Sequence, residues 1–383
     1  MISPEFKRFP SEWKVLPFLE VFEDVTSKGK KVKKENYQTT GDIPVVDQGQ
    51  KFFGGYTDEA NKITGVELPA IVFGDHTKTF KYVEVDFAIG ADGVKLLNPK
   101  VGADKKFLFY YLKQLKLEDA GYSRHFKFLK ETYIPHPPLE TQKQIAAVLE
   151  KADQLRKDCQ QMEQELNSLA QSVFIDMFGD PVTNPKGWTS SSLESEMQFL
   201  TSGSRGWAKY YDDEGDSIFI RIQNVLKDKL SLSDIQKISP PSTKEAIRTK
   251  VQDGDILLSI TADLGRACVV KNIELDSYIS QHLALIRTEK STLVPEFLSA
   301  FLISPAGIGQ FKQMNKGGTK AGLNFSDIRS LKILLPPREL QVKFKLIKED
   351  LDEKLEQLKH AAKIYDDLFN SLMQKAFKGE LNR

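Results

Sequence analysis

The strongest constraint on this chain is a segment that it carries twice. The residues from Pro137-Pro138 to Phe178 return after Pro336-Pro337, at an offset of 199 positions (from 137 to 336). Phe126 aligns with Phe325, Ile134 with Ile333, Glu140 with Glu339, Gln142 with Gln341, Leu166 with Tyr365, Ser172 with Ser371 and Phe178 with Phe377, all without a gap. Internal repetition of this kind decides the architecture before any local reading does.

Each copy ends in a long amphipathic stretch. In 140–178 the residues Ile145, Val148, Ala152, Leu155, Cys159, Met162, Leu166, Leu169 and Val173 fall alternately three and four apart. The second copy places Phe344, Ile347, Leu351, Leu355, Leu358, Ala362, Tyr365, Leu368 and Leu372 at steps of three or four, with Lys354 and Ala361 as weak points. A spacing near 3.5 residues puts such a set on one stripe, the seam by which one long helix packs on another. At ~1.5 Å per residue the first helix would be roughly 58 Å long, more than a globular domain needs inside itself. A partner helix is required, and the second copy supplies it.

The chain therefore divides into a first globular segment at 1–139, a first long helix at 140–179, a second globular segment at 180–337 and a second long helix at 338–383. The expected fold class is α+β: two pseudo-symmetric globular domains joined by two long antiparallel coiled-coil helices, with one lobe at each end and an approximate two-fold axis. In the first segment, short β-like runs at 43–46, 70–73, 82–87 and 132–136 and a helical stretch at 105–117 predict a mostly irregular sheet. In the second, strands are expected at 217–222, 255–260, 268–270 and 284–286, with a helix at 295–303. Trp188 opens it as Trp13 opens the first, but at an offset of 175 (from 13 to 188), so it holds about 24 more residues between matching ends. Phe178-Gly179-Asp180-Pro181 ends the first helix and Phe377-Lys378-Gly379 the second, which makes the layout cyclic.

Of 383 residues, 40% are hydrophobic and 28% charged, as in a soluble globular protein. Cys159 sits in the seam and Cys268 in an apolar run, so neither belongs to a disulfide or metal set; a reducing, cytoplasmic setting is expected. No signal-peptide core opens the chain, and no apolar run reaches membrane-spanning length. A net charge of +1 decides nothing about nucleic acid, because a basic face can be balanced elsewhere. Two local clusters say more: Lys28, Lys30, Lys31, Lys33 and Lys34, and Arg124, His125, Lys127 and Lys130.

The repeat plan, Pro-Pro-Leu-Glu-x-Gln at 137–142 echoed by Pro-Pro-Arg-Glu-Leu-Gln at 336–341, and Phe178-Gly179-Asp180-Pro181 leading to Lys186-Gly187-Trp188 resemble the specificity subunit of type I restriction-modification enzymes. The resemblance covers essentially the whole chain. It implies that the globular segments are target recognition domains, each reading one half of a split double-stranded DNA site. It also implies that the paired helices set the distance between the halves and carry two methyltransferase (M) subunits, with restriction/translocase (R) subunits joining the complex. Helix surfaces away from the seams would meet those partners, although exposed apolar residues such as Ile175, Val342 and Leu346 could instead seal the lobes onto the helices.

No catalytic set stands against this non-enzymatic reading, and no cofactor is expected. There is no Asn-Pro-Pro-Tyr or Asp-Pro-Pro-Tyr string, no G-x-x-x-x-G-K-[ST] and no G-x-S-x-G elbow. The short D-x-K pattern at Asp104/Lys106 and Asp352/Lys354 arises readily by chance. His76, His125, His136, His282 and His360 show no metal-ligand spacing. A protein-interaction scaffold without DNA readout is the alternative, and a self-sufficient methylating nuclease is disfavoured by the missing motifs.

Base edges are read by Arg, Lys, Asn and Gln, and phosphates by other polar groups and backbone amides. In the first lobe these considerations select Tyr122, Ser123, Arg124, His125 and Lys127, supported by Gln48, Gln50, Lys51, His76 and Lys78. In the second they select Lys316, Gly317, Gly318, Thr319 and Lys320, supported by Arg205, Arg221, Gln223, Asn224 and Arg266. The helices carry a separate expectation. Adding about four residues to each should lengthen it by roughly 6 Å and widen the unread spacer of the site by one or two base pairs. Methylome sequencing reads the outcome, and a changed half-site with an unchanged spacer would contradict it.

Overall fold

The computed structural model describes residues 9–90, 92–100, 102–117, 123–203, 205–315 and 322–381. The chain forms two compact units, Met1–Gln161 with Lys359–Arg383, and Met162–Leu358. Each unit holds one lobe and a part of both long helices. Among the described residues, no helix is long and apolar enough to cross a membrane.

The long helices are Leu139–Phe178, of 40 residues, and Arg338–Lys378, of 41. In the first unit the start of one lies against the end of the other: Ile145, Ala146, Leu149 and Ala152 share a core with Phe369, Met373, Ala376 and Phe377. Farther along, Arg156 Nε donates to Asp366 Oδ1 at 2.5 Å, and its guanidinium lies 4.5 Å from the Phe369 ring centre. In the second unit Phe174 and Phe178 meet Phe344, with ring centres 5.6 and 5.4 Å apart. Both pairings are antiparallel.

The buried stripe departs from the strict heptad reading. Val148, Met162 and Leu169 are 41, 51 and 45% exposed and Leu368 is 43% exposed, whereas their neighbours Leu149 and Phe369 are buried. A straight helix drifts from a 3.5-residue repeat by about 20° per heptad. Near the lobes the helix must also cover globular core, so the large side chain nearest that core is the one buried. Of the three exposed candidates, Ile175 and Leu346 remain exposed, while Val342 packs on the second core.

Both helices end on glycines in the left-handed region, Gly179 at φ +78° and Gly379 at φ +72°, where other residues are strained. A side chain on Gly179 would press on Pro185, and one on Gly379 would collide with Pro10. Pro10 and Pro185 stand at the same 175-residue offset as Trp13 and Trp188. In the first unit the last helix thus meets the first lobe as, in the second unit, the first helix meets the second lobe.

The first lobe contains β1 (Lys14–Pro17), β2 (Phe22–Asp24), β3 (Ile43–Val46), β4 (Gly55–Thr57), β5 (Ala70–Gly74), β6 (Phe80–Val83), β7 (Ala88–Ile89), β8 (Val94–Pro99) and β9 (Tyr133–His136). They form sheets ordered β2-β8-β5-β6, β4-β3-β7 and β1-β9. The second lobe contains β10 (Thr189–Ser192), β11 (Met197–Ser202), β12 (Ser217–Ile220), β13 (Gln236–Ile238), β14 (Ile256–Ser259), β15 (Ala267–Val269), β16 (Ser277–Ile279), β17 (Leu283–Thr288) and β18 (Lys332–Leu335). Its sheets are ordered β11-β17-β14-β15, β13-β12-β16 and β10-β18, the same plan position for position. In each lobe one pair is parallel, β3 with β7 and β12 with β16.

One expectation is corrected here: the sheets are ordered rather than irregular. The middles of the lobes also share a topology although their sequences do not align. Strands of two to six residues are too short to show a period, and the extra length of the second lobe includes the helices Lys244–Thr249 and Pro305–Met314 as well as the longer loop at 221–235.

The repeated glutamine explains how the helices are fastened. Gln142 and Gln341 are both 0% exposed. Gln142 Nε2 donates to Pro137 O at 2.8 Å, and its Oε1 accepts from the amide of Asp104 at 2.9 Å. Gln341 repeats this with Pro336 O at 2.8 Å and the amide of Val294 at 2.9 Å. Asp104 and Val294 begin the lobe helices Lys105–Gln114 and Pro295–Ile303. Each glutamine therefore joins the first turn of a long helix to the first turn of a lobe helix. Gln341→Leu leaves a buried amide and a buried carbonyl unpaired, so urea unfolding should show the second unit less stable by about 1–3 kcal/mol. A loss below about 0.5 kcal/mol would contradict this role.

Candidate nucleic-acid interface

In the first lobe, loops that are distant in sequence meet beyond the carboxyl ends of the parallel pair β3 and β7. Thr77 Oγ1 donates to Gln48 O at 2.5 Å, and Gln48 Oε1 accepts from the His76 amide at 3.2 Å. The Asp75 amide donates to Gly93 O at 2.7 Å, which joins the turn between β5 and β6 to the turn between β7 and β8. Asp75 also anchors the basic segment: its carbonyl accepts from the His125 amide at 2.9 Å and its Oδ1 from the Phe126 amide at 2.7 Å. Lys31 reaches the same rim through a 2.8 Å pair with Asp92.

His125 is buried, with Nδ1 3.0 Å from Asp75 O. A carbonyl only accepts, so Nδ1 carries the hydrogen and Nε2 is left as an acceptor, buried without a partner. His125 positions the loop rather than standing on its surface. Ser123 Oγ is a second buried polar atom without a partner. Arg124 and Lys127 are exposed, as are Gln50 and Lys51, while Gln48, His76 and Lys78 are half-buried. Lys78 lies in the left-handed region at φ 59°, the conformation that closes its turn. Tyr122 lies outside the described residues.

Three further features escaped the sequence reading. Lys81, on β6, is 4% exposed, and its Nζ donates to Asp47 O at 2.7 Å and to Lys51 O at 2.6 Å. Burial holds this amine below the ordinary lysine pKa, with the Asp47 carboxylate 3.7 Å away acting in the opposite direction. Asp75 was missed because its task is to bind backbone, which no motif announces. Phe52 is 49% exposed beside Lys51 and stacks edge-on against Phe53, which offers a flat apolar surface on this loop.

The second lobe builds the equivalent end from β12 and β16. Arg221, Gln223 and Asn224 follow β12, and all three are tied to the far side of their own loop. Arg221 Nη2 and Gln223 Nε2 donate to Asp234 Oδ2 at 3.1 and 2.9 Å, and buried Asn224 donates to Asp234 O at 2.8 Å. Arg266, between β14 and β15, pairs with Asp263. Arg205 is exposed, two residues beyond Gly203, a position where any side chain would collide with the backbone at Ile279 and Ser280. Lys316, Gly317, Gly318, Thr319 and Lys320 lie outside the described residues. The residues flanking them, Asn315 and Gly322, are joined at 3.1 Å, and Gly322 bridges to Thr261.

Sequence reading passed over Ser280, Gln281 and His282 as candidates here. Ser280 Oγ, Gln281 Oε1 and Arg221 Nε are buried without partners. An unmet buried polar group costs about 1–3 kcal/mol, so its concentration at this end in both lobes favours an occupant rich in donors and acceptors. The D-x-K pairs have ordinary duties instead: Asp104 caps its helix by accepting from the Phe107 amide at 2.8 Å and Lys106 pairs with Glu150, while Asp352 pairs with Lys348. Cys268 is buried, and burial raises its thiol pKa, as expected of a packing residue.

Comparison with known proteins adds a finding independent of this geometry. The family model described as type I restriction modification DNA specificity domain matches residues 10–168 and 185–364. The type I restriction enzyme EcoBI specificity subunit of Escherichia coli is 26% identical over 281 residues, which is 66% of this chain and 59% of that protein. The HindI specificity subunit of Haemophilus influenzae is 33% identical over 145 residues, 36% of this chain and 30% of that protein. The chain thus spans between about a third and three fifths of the length of these two relatives. The crystal structure of a type I restriction-modification S subunit from M. genitalium shares the fold, with a TM-score of 0.64 at 16% identity over 95% of this chain and 96% of that one.

Lys81→Met removes both bonds that hold the 47–51 loop. Hydrogen exchange at the Gly49 and Gly54 amides should accelerate at least about tenfold, with exchange in the second lobe unchanged. Unaltered exchange in that loop would refute the positioning role.

Proposed function

We propose, on the premise that the chain belongs to the type I restriction modification DNA specificity family, that it is a non-catalytic adaptor reading a bipartite double-stranded DNA site. Residues 1–139 and 180–337 act as target recognition domains, one half-site each, and the helices at 140–179 and 338–383 act as the spacer. Two methyltransferase subunits assemble on it, followed by restriction/translocase subunits, in the cytoplasm. The observation that carries this reading is that two lobes of one topology gather Gln, Arg and His side chains at the same sheet end, on sequences that differ. Shared framework with unlike loops is what two readers of unlike sequences require.

The chemistry of the rim supports a division of labour. Arg124 is exposed beside Asp92 and carries a planar fork suited to a guanine edge. Lys127 is exposed with its ammonium 4.6 Å from the Phe128 ring centre, a point charge suited to phosphate. Gel-shift competition with the methyltransferase complex should show preference for one split sequence over random duplex, and equal affinity would refute the reading. Lys127→Ala should weaken binding evenly across sequences and lower the salt slope by about one; Arg124→Ala should relax one base position instead.

A further inference from the structure

The turn between β16 and β17 is fixed to the end of β12, because the Ser280 amide donates to Ile220 O at 2.9 Å. On that turn a relay of three side chains sets the orientation of one amide. Gln281 Nε2 lies 3.1 Å from His282 Nε2, and His282 Nδ1 lies 2.7 Å from Thr261 Oγ1. An amide nitrogen only donates, so His282 Nε2 accepts and its Nδ1 carries the ring hydrogen toward Thr261. Gln281 is left with its second N–H and with Oε1, which is buried and has no partner.

We propose that Gln281 reads an adenine in the half-site taken by the second lobe, with His282 and Thr261 as positioning residues; this rests on the DNA-reading function given above. Adenine offers an N6 donor beside an N7 acceptor in the major groove, and a glutamine amide matches the pair with two bonds. The neighbouring candidates are already engaged: Arg221 and Gln223 on Asp234, Asn224 on its own loop and Arg266 on Asp263. Gln281 keeps a donor and an acceptor uncommitted on one planar group. Oε1 accepts from no group in the free chain, so a bond from an adenine amine would displace no internal partner from that oxygen.

The test uses the full chain expressed with its methyltransferase in cells lacking other adenine methylation, with the methylated motif read by single-molecule sequencing. Gln281→Ala should lower discrimination at one adenine position by roughly tenfold to a hundredfold, leaving the other half-site and the spacer as in the wild type. Gln281→Glu should move preference at that position toward cytosine, whose N4 group donates to a carboxylate. His282→Asn should relax the same position and no other. An unchanged motif in both Gln281 variants overturns the assignment, as does loss of all methylation in both, because that would make Gln281 a folding residue. A wild-type complex that marks no split motif overturns the DNA reading and this assignment together.

Discussion

Each unit depends on an aromatic side chain delivered into the lobe by the last turns of a long helix. Phe377 packs on Phe107 and Tyr111 with ring centres 5.5 and 5.3 Å apart; Phe178 packs on Phe297 at 4.7 Å and on Phe344 at 5.4 Å. Burying each ring is worth about 2–3 kcal/mol before packing is counted. Because the ring arrives at a helix end, the same burial that completes the core also sets the direction in which the helix leaves it. The left-handed glycine that follows stops the helix where Pro185 or Pro10 closes over it.

Charge reinforces this attachment without dominating it. Glu150 and Glu349 occupy equivalent positions on the two long helices and receive a lysine from their lobes, Lys106 and Lys271. In the second unit Lys348, 8% exposed, lies 3.1 Å from Asp228, whose carboxyl pKa is raised by burial against the pull of that lysine. Such buried pairs contribute little net stability, but breaking one leaves an uncompensated charge, so they favour a single arrangement of lobe on helix.

The lobes separate a common framework from variable loops. Their strands carry the buried aliphatic residues and follow one plan, while the loops beyond the parallel pair vary in length and composition. Several polar groups in these loops serve the loops themselves: Asp75, Lys81, Asn224 and Asp234 bind backbone or one another. They hold the segments that carry the exposed or unsatisfied groups. A free surface with unmet donors and acceptors is costly in isolation, and it becomes favourable only when a partner supplies the complement.

What the chain determines by itself is whatever depends on periodicity and repetition: two equal helices, two lobes, the matching Gln142 and Gln341, and the order in which they occur. These signals survive in sequence because helix geometry and duplication act over tens of residues. The tertiary structure decided the rest. It chose Leu149 over Val148 and Phe369 over Leu368, because burial near a lobe follows distance to the core rather than heptad phase. It gave unlike middle segments one strand order, because strands this short are specified by pairing and not by their own pattern. It also brought Gln281 to the rim and turned His125 inward, since which polar side chain stays uncommitted depends on partners that lie tens of residues away along the chain.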